Sequence, residues 1–279
     1  MFDSNLMFKK VIAIVLTAAF LCSAGCAKAP EQKPYGVFLS VTEDLSQFDE
    51  YHTVVVDCQF YEAEEIEEFK RAGHEVYSYI NIGSLENWRD YYDESLTLAP
   101  YENWEEERWV DVSDIRWQEL VVEELVPELL DKGVDGFFVD NCDVYYLYPT
   151  QEVMDGLTCM MSSMVKTGKK VIINGGDTYL DAYCEVGGKW DDVITGINQE
   201  SVFSKIEWEE DENGEDVFGK ADPEDREYFM DYLERYAALG ADVYLLEYTR
   251  DDELVREIDE YCEKKGFTYY VSGALELAA

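Results

Sequence analysis

The chain has 279 residues, 62 acidic against 22 basic, and a formal charge of −40. Such a field makes nucleic acid and anionic membrane surfaces poor partners for the folded domain and leaves a cationic substrate open. Two histidines, and cysteines with no CxxC or Cys/His spacing, argue against a zinc centre or a histidine-based triad.

In chain order, Lys9 and Lys10 precede an apolar run, Val11–Leu21, that is too short to span a bilayer, and Ser23, Ala24 and Gly25 lead into Cys26. This pattern resembles a bacterial lipoprotein leader, so residues 1–26 are expected to be a signal peptide ending at a lipidated Cys26. The protein is then exported and anchored to the membrane by lipid alone, with simple secretion as the alternative. Residues 27–34, with two prolines and two lysines, read as a tether. Residues 35–279 read as one domain.

Within that domain eight β-rich runs are expected as strands: Gly36–Val41, Thr53–Cys58, Glu75–Ile82, Gly136–Asp140, Lys170–Asn174, Val193–Asn198, Asp242–Tyr248 and Phe267–Ser272. Helical stretches alternate with them: Leu45–Glu50, Ala63–Ala72, Arg116–Lys132, Gln151–Thr167, Tyr179–Val186, Pro223–Leu239 and Glu253–Lys265. Residues from Ser84 to Val112 form a polar loop rich in Trp and Tyr. Eight β/α units in one α/β domain predict a (β/α)8 TIM barrel, and no GxGxxG or P-loop supports an open doubly wound sheet instead.

A barrel of this kind carries its site at the C-terminal strand ends. Those positions hold Asp57, Asn81, Glu86, Asp140, Asn141, Asp143, Asn174, Asp177, Asn198, Gln199, Glu200, Glu247 and Tyr248. Glycoside hydrolysis needs one protonated carboxylic acid and one ionised carboxylate. Asp140 closes the apolar run Phe137-Phe138-Val139, and Glu200 is expected to face it across the mouth; Glu247, at the end of strand seven, is a rival partner. Asp140, Asp143 and Asp177 have the chemistry for a hard cation but fit no EF-hand spacing, and neither metal nor other cofactor is expected. Trp88, Tyr91, Tyr92, Trp104 and Trp109, with Tyr145, Tyr146 and Tyr148, offer faces on which sugar rings stack.

Four blocks carry a family likeness: Tyr79-Ile-Asn-Ile-Gly-Ser-Leu-Glu-Asn-Trp-Arg89, Arg108-Trp-Val-Asp111, Gly133-Val-Asp-Gly-Phe-Phe-Val-Asp-Asn-Cys-Asp143 and Ile197-Asn-Gln-Glu-Ser201. With these the chain resembles glycoside hydrolase family 114, the endo-α-1,4-polygalactosaminidase family and its bacterial relatives. The resemblance implies a retaining, endo-acting hydrolase of α-1,4-linked galactosamine polymer, with Asp140 as nucleophile and Glu200 as acid/base. A register slip of one would put Gln199, which cannot ionise, in the key position. Asp57, Tyr79, Asn81, Glu86, Arg89, Asn141, Asp143, Tyr145, Asn174, Glu247 and Tyr248 are the expected substrate-binding set. The rival readings are a carbohydrate-binding lipoprotein without activity and a hydrolase of another cell-surface glycan.

Overall fold

The computed structural model describes residues 32–278. The leader and Cys26 lie outside the described residues, as does most of the tether. Lys33 and Pro34, read as its end, already belong to the first strand.

Eight parallel strands form one sheet in sequential order: β1 (Lys33–Phe38), β2 (Tyr51–Val56), β3 (Glu75–Asn81), β4 (Gly136–Asp140), β5 (Lys170–Asn174), β6 (Gly196–Glu200), β7 (Asp242–Tyr248) and β8 (Thr268–Ser272). β8 returns beside β1, where Phe38 meets Tyr270 edge to face at 5.3 Å. The sheet therefore curls into a nearly closed (β/α)8 barrel. Among the described residues no helix is long and apolar enough to cross a membrane.

The strands divide their side chains between two apolar clusters. Phe137, Val139, Val171, Ile173, Val243 and Leu245 face the helices; Phe138, Ile172, Leu246 and Tyr248 fill the barrel with Tyr35, Val37, Val55, Tyr77 and Tyr79. This is the period of two in a strand buried on both faces. It fixes the direction of the polar residue that ends each strand. Asp140, two beyond Phe138, and Asn174, two beyond Ile172, point inward; Glu247, two beyond Leu245, points outward.

Several local features depart from the expectation. β1 and β2 run Lys33–Phe38 and Tyr51–Val56, not Gly36–Val41 and Thr53–Cys58, because the chain turns at Leu39 and Ser40 after the first and Asp57 caps the short turn Cys58–Phe60 after the second. β6 runs Gly196–Glu200, not Val193–Asn198, because Val193 and Ile194 close the turn after Trp190–Asp192, their amides donating to the Trp190 carbonyl at 3.2 and 3.1 Å. Glu200 is thereby the last residue of the strand and no longer in the loop beyond it. The long helix is continuous from Ile115 to Lys132 but widens to π geometry over Leu120–Leu125, just ahead of Pro127, which has no N–H to continue the ordinary ladder. The polar loop after β3 contains a three-stranded antiparallel sheet, Ser84–Glu86, Glu107–Val110 and Thr97–Pro100 in spatial order. After β6 comes a hairpin of Ser204–Glu210 and Asp216–Lys220. Both insertions stand over the C-terminal mouth.

Candidate active site

Parallel register sets Asn81 beside Asp140 and Asn174 beside Asn198 at the strand ends. Immediately after three of those ends the backbone turns left-handed: Asn141 (φ 64°) after Asp140, Gly175 and Gly176 (φ 64° and 66°) after Asn174, Ser201 (φ 54°) after Glu200. The chain bends away at each and leaves the polar side chain standing in the mouth. Gly83 permits the turn at Asn141, since a Cβ there would lie 1.7 Å from the Asn141 carbonyl oxygen.

Asn174 joins the two carboxylates. Its Nδ2 donates to Asp140 Oδ1 at 2.8 Å and to Glu200 Oε1 at 2.7 Å, while its Oδ1 accepts from Asn198 Nδ2 at 2.7 Å, which fixes the amide's orientation. With one nitrogen reaching both, the two oxygens are no further apart than 2.8 plus 2.7, or 5.5 Å. Asp140 Oδ2 also accepts from the Tyr79 hydroxyl at 3.2 Å, and Glu200 Oε2 from the Tyr248 hydroxyl at 2.9 Å.

The two carboxyl groups are electrostatically unequal. Burial raises both, and Glu200 is pushed up to about 7, with the neighbouring charge of Asp140 as the second cause. At Asp140 burial raises the pKa, the donors Asn174, Asn141 and Tyr79 act against it, and the charge of Glu86 is the last of the causes that raise it. Burial and the Asp140 charge favour the protonated form of Glu200, while three hydrogen-bond donors favour the charged form of Asp140.

Around the pair lies a cavity of about 630 Å³, within the range of small-molecule sites. Of the expected substrate-binding set, Asp57, Tyr79, Glu86, Arg89, Asn141, Asp143, Asn174 and Tyr248 line it. Arg89 ties the wall together, with Nη1 2.7 Å from Asp57 Oδ2, Nη2 2.8 Å from Glu86 Oε1 and its guanidinium 4.1 Å from the centre of the Trp88 ring. Burial, then the charges of Asp140 and Asp177, raises Asp143 to about 7.

Three of the set do not line the cavity. Asn81 is buried beneath the post-β3 insertion, its Nδ2 donating to Ser84 Oγ at 2.7 Å. Tyr145 is packed edge-on to Tyr179, ring centres 6.2 Å apart, on the short helix after β4. Glu247 is 0 % exposed and faces the outer layer, where it accepts from the amides of Phe203 and Ser204 and from the Ser204 hydroxyl at 2.6 Å. Asp177, also singled out at a strand end, begins a helix and accepts from the Tyr228 hydroxyl.

Other lining residues were not foreseen. Glu107, held by Ser84 Oγ at 2.6 Å and raised by burial to about 7, stands on the post-β3 sheet. Tyr101, stacked on Trp109 at 4.4 Å, and Trp208 of the hairpin join Trp88 and Trp104, whereas Trp109 itself is buried. Leu277 tucks into the barrel interior. Alternation of Lys205, Glu207 and Glu209 with Ile206 and Trp208 is the sequence signal that could have revealed the hairpin. Among the described residues nine carboxylates line the cavity against one cation, Arg89, which Asp57 and Glu86 already engage. Among the described residues no acidic, cysteine or histidine cluster is arranged to hold a metal ion.

Residues 24–178 match the sequence model of glycoside-hydrolase family GH114. The fold is similar to the glycoside hydrolase domain of PelA from Pseudomonas aeruginosa, at 16% identity over 88% of this chain and 96% of that one, TM-score 0.68. It is similar to Aspergillus fumigatus Ega3 in complex with galactosamine, at 15% identity over 89% and 93%, TM-score 0.68. It also resembles the alpha-galactosidase TtGalA from Thermus thermophilus, at 12% identity over 90% of this chain and 60% of that one, TM-score 0.54. No curated protein matches the sequence. At these identities the structural likenesses speak for the fold.

Proposed function

The chain belongs to glycoside-hydrolase family GH114, and we propose that it cleaves an α-1,4-linked, galactosamine-containing polysaccharide internally and with retention, using Asp140 as nucleophile and Glu200 as acid/base. The observation that carries this reading is the single Asn174 nitrogen shared by the two carboxylates, which holds their facing oxygens within 5.5 Å. Retaining pairs stand about 5–5.5 Å apart, whereas inverting pairs need about 6.5–9.5 Å to admit a water.

In the first step an Asp140 oxygen bonds to the anomeric carbon while the leaving oxygen takes the proton of Glu200. In the second, Glu200 removes a proton from water, whose oxygen displaces Asp140 and restores the original anomeric configuration. Asn174 and Tyr79 hold Asp140 in place, and Tyr248 holds Glu200.

The cationic, amine-bearing substrate is supported by the acidic cavity lining, which concentrates positive charge, and by the galactosamine bound to the structurally similar Ega3. The experiment is a panel: purified protein with partly deacetylated galactosamine polymer, its fully acetylated form and a neutral galactan, followed by product sizing. Internal cleavage of the deacetylated polymer to a ladder of oligomers is the expected result. Cleavage of the neutral galactan alone would refute the amino-sugar assignment, and absence of any cleavage would leave the carbohydrate-binding reading standing.

Export belongs to the same proposal. The basic Lys9 and Lys10, the apolar run that follows and the small residues before Cys26 support a leader whose cysteine takes a lipid anchor. Cys26→Ser is expected to move the protein from the membrane fraction to the soluble one, because the acyl chains need that thiol. Unchanged, detergent-dependent partitioning would point to a different anchor.

A further inference from the structure

Two exposed tryptophans meet over the cavity from separate insertions. Trp104 sits at the tip joining Thr97–Pro100 to Glu107–Val110, after β3; Trp208 is on the hairpin after β6. β3 and β6 are three strands apart around the ring, so a contact between their insertions crosses the mouth. The indoles lie 6.3 Å apart and perpendicular, yet Trp104 is 41 % and Trp208 49 % exposed, and both line the cavity. Ile206 and Phe218 of the same hairpin pack on the barrel cluster that holds Tyr248, and Trp208 is not part of it.

The backbone at Trp208 has φ 52°, where the hairpin register shifts between Ile206 and Glu210. A bulky residue seldom adopts that conformation, and a bulge of this kind re-aims a side chain. The hairpin is held at its base, where Glu247 binds Ser204, and beside its turn, where Asp216 Oδ2 accepts from the Leu275 amide at 2.9 Å. Glu105 and Glu106, beside Trp104, add carboxylates to the same rim.

We infer that Trp104 and Trp208 form a clasp that grips one amino-sugar unit of the polymer, a unit adjoining the one attacked by Asp140; this rests on the galactosamine reading above. The hairpin tips stand above the strand ends, so the clasp meets a neighbouring unit and not the reacting one. An edge-to-face aromatic contact is weak, and stacking of a pyranose face on either indole replaces it. Glu105 and Glu106 then meet the ammonium group of that unit, which a neutral sugar lacks.

The test is binding of a galactosamine hexamer, measured by calorimetry on the full chain carrying Asp140→Asn, with Trp104→Ala, Trp208→Ala and both together added. Each single change is expected to weaken binding about tenfold, and the double change little more than either, because one jaw alone grips poorly. Trp208→Tyr, which keeps a ring, should restore most of the affinity and guards against misfolding as the cause. Galactosamine itself, a single unit that cannot fill the reacting site and reach the clasp together, should lose nothing. Undiminished hexamer binding in both single variants, or fully additive losses, overturns the clasp. The outcomes separate this proposal from the catalytic one: a parent chain that cuts no glycan but binds the hexamer through both tryptophans keeps the clasp and loses the hydrolase reading, whereas a chain that cuts the polymer with binding indifferent to both keeps the hydrolase and loses the clasp. Failure of the hexamer to bind overturns the clasp outright.

Discussion

Asp140→Asn is expected to lower kcat on galactosamine polymer at least about a hundredfold while leaving Tm unchanged or higher, because it removes a group whose role lies in bond formation and relieves repulsion with Glu200. Glu200→Gln should cost about as much. The two losses differ in kind. Azide added to Asp140→Ala can attack the anomeric carbon from the vacated side in one displacement, giving an inverted glycosyl azide. Added to Glu200→Ala, it attacks the sugar already carried by Asp140, and two displacements give retention. Exchange of these two outcomes would reverse the assigned roles, and near-native turnover of either variant would remove that residue from the chemistry.

The same prediction has a pH arm. As the general acid, Glu200 must hold its proton, so kcat/KM should fall as pH rises through about 7. The charge on Asp140 is one cause of that high value, since a second negative charge nearby disfavours ionisation. In Asp140→Asn the Glu200 pKa should therefore drop toward that of an ordinary carboxyl group, a shift readable by carbon NMR of the labelled side chain. A Glu200 titration that does not move on removal of Asp140 would mean that the two groups are not coupled.

Glu247→Ala is expected to destabilise the fold by about 3 kcal/mol, since two backbone amides and a hydroxyl lose their acceptor in the interior. For a domain of this size that is a fall in Tm of roughly 10 °C. Glu247→Gln should be destabilising too, because its amide group turns a donor toward those donors. Below the lowered Tm, specific activity should fall far less than in Glu200→Gln, and loss should track loosening of the hairpin that Ser204 begins. An intact Tm with activity abolished would instead make Glu247 the partner of Asp140.

The eight-unit alternation was legible from composition alone, because each strand is a short apolar run and each helix ends on a glycine or a polar turn. Gly136–Asp140, Lys170–Asn174 and Asp242–Tyr248 are strands at the boundaries expected from sequence. The family likeness, too, resides in local blocks that need no tertiary information. What the sequence could not decide was the direction of each strand-end residue. Barrel strands are apolar on both faces, so Val243, Leu245 and Glu247 look no different from Tyr244, Leu246 and Tyr248 until one set is seen inside the barrel and the other against the helices. A similar ambiguity hid the start of β6, where Val193 and Ile194 are as apolar as a strand but belong to a turn. The two insertions over the mouth were illegible for the opposite reason: their strands are short and mixed in polarity, and they hold their place by meeting the rim, through Ser84 with Asn81 and Asn141 and through Ser204 with Glu247. Sequence determined the barrel and the choice of Asp140 and Glu200 as the candidate pair; the link between them through Asn174 came from three strand ends brought together by the closure of the sheet.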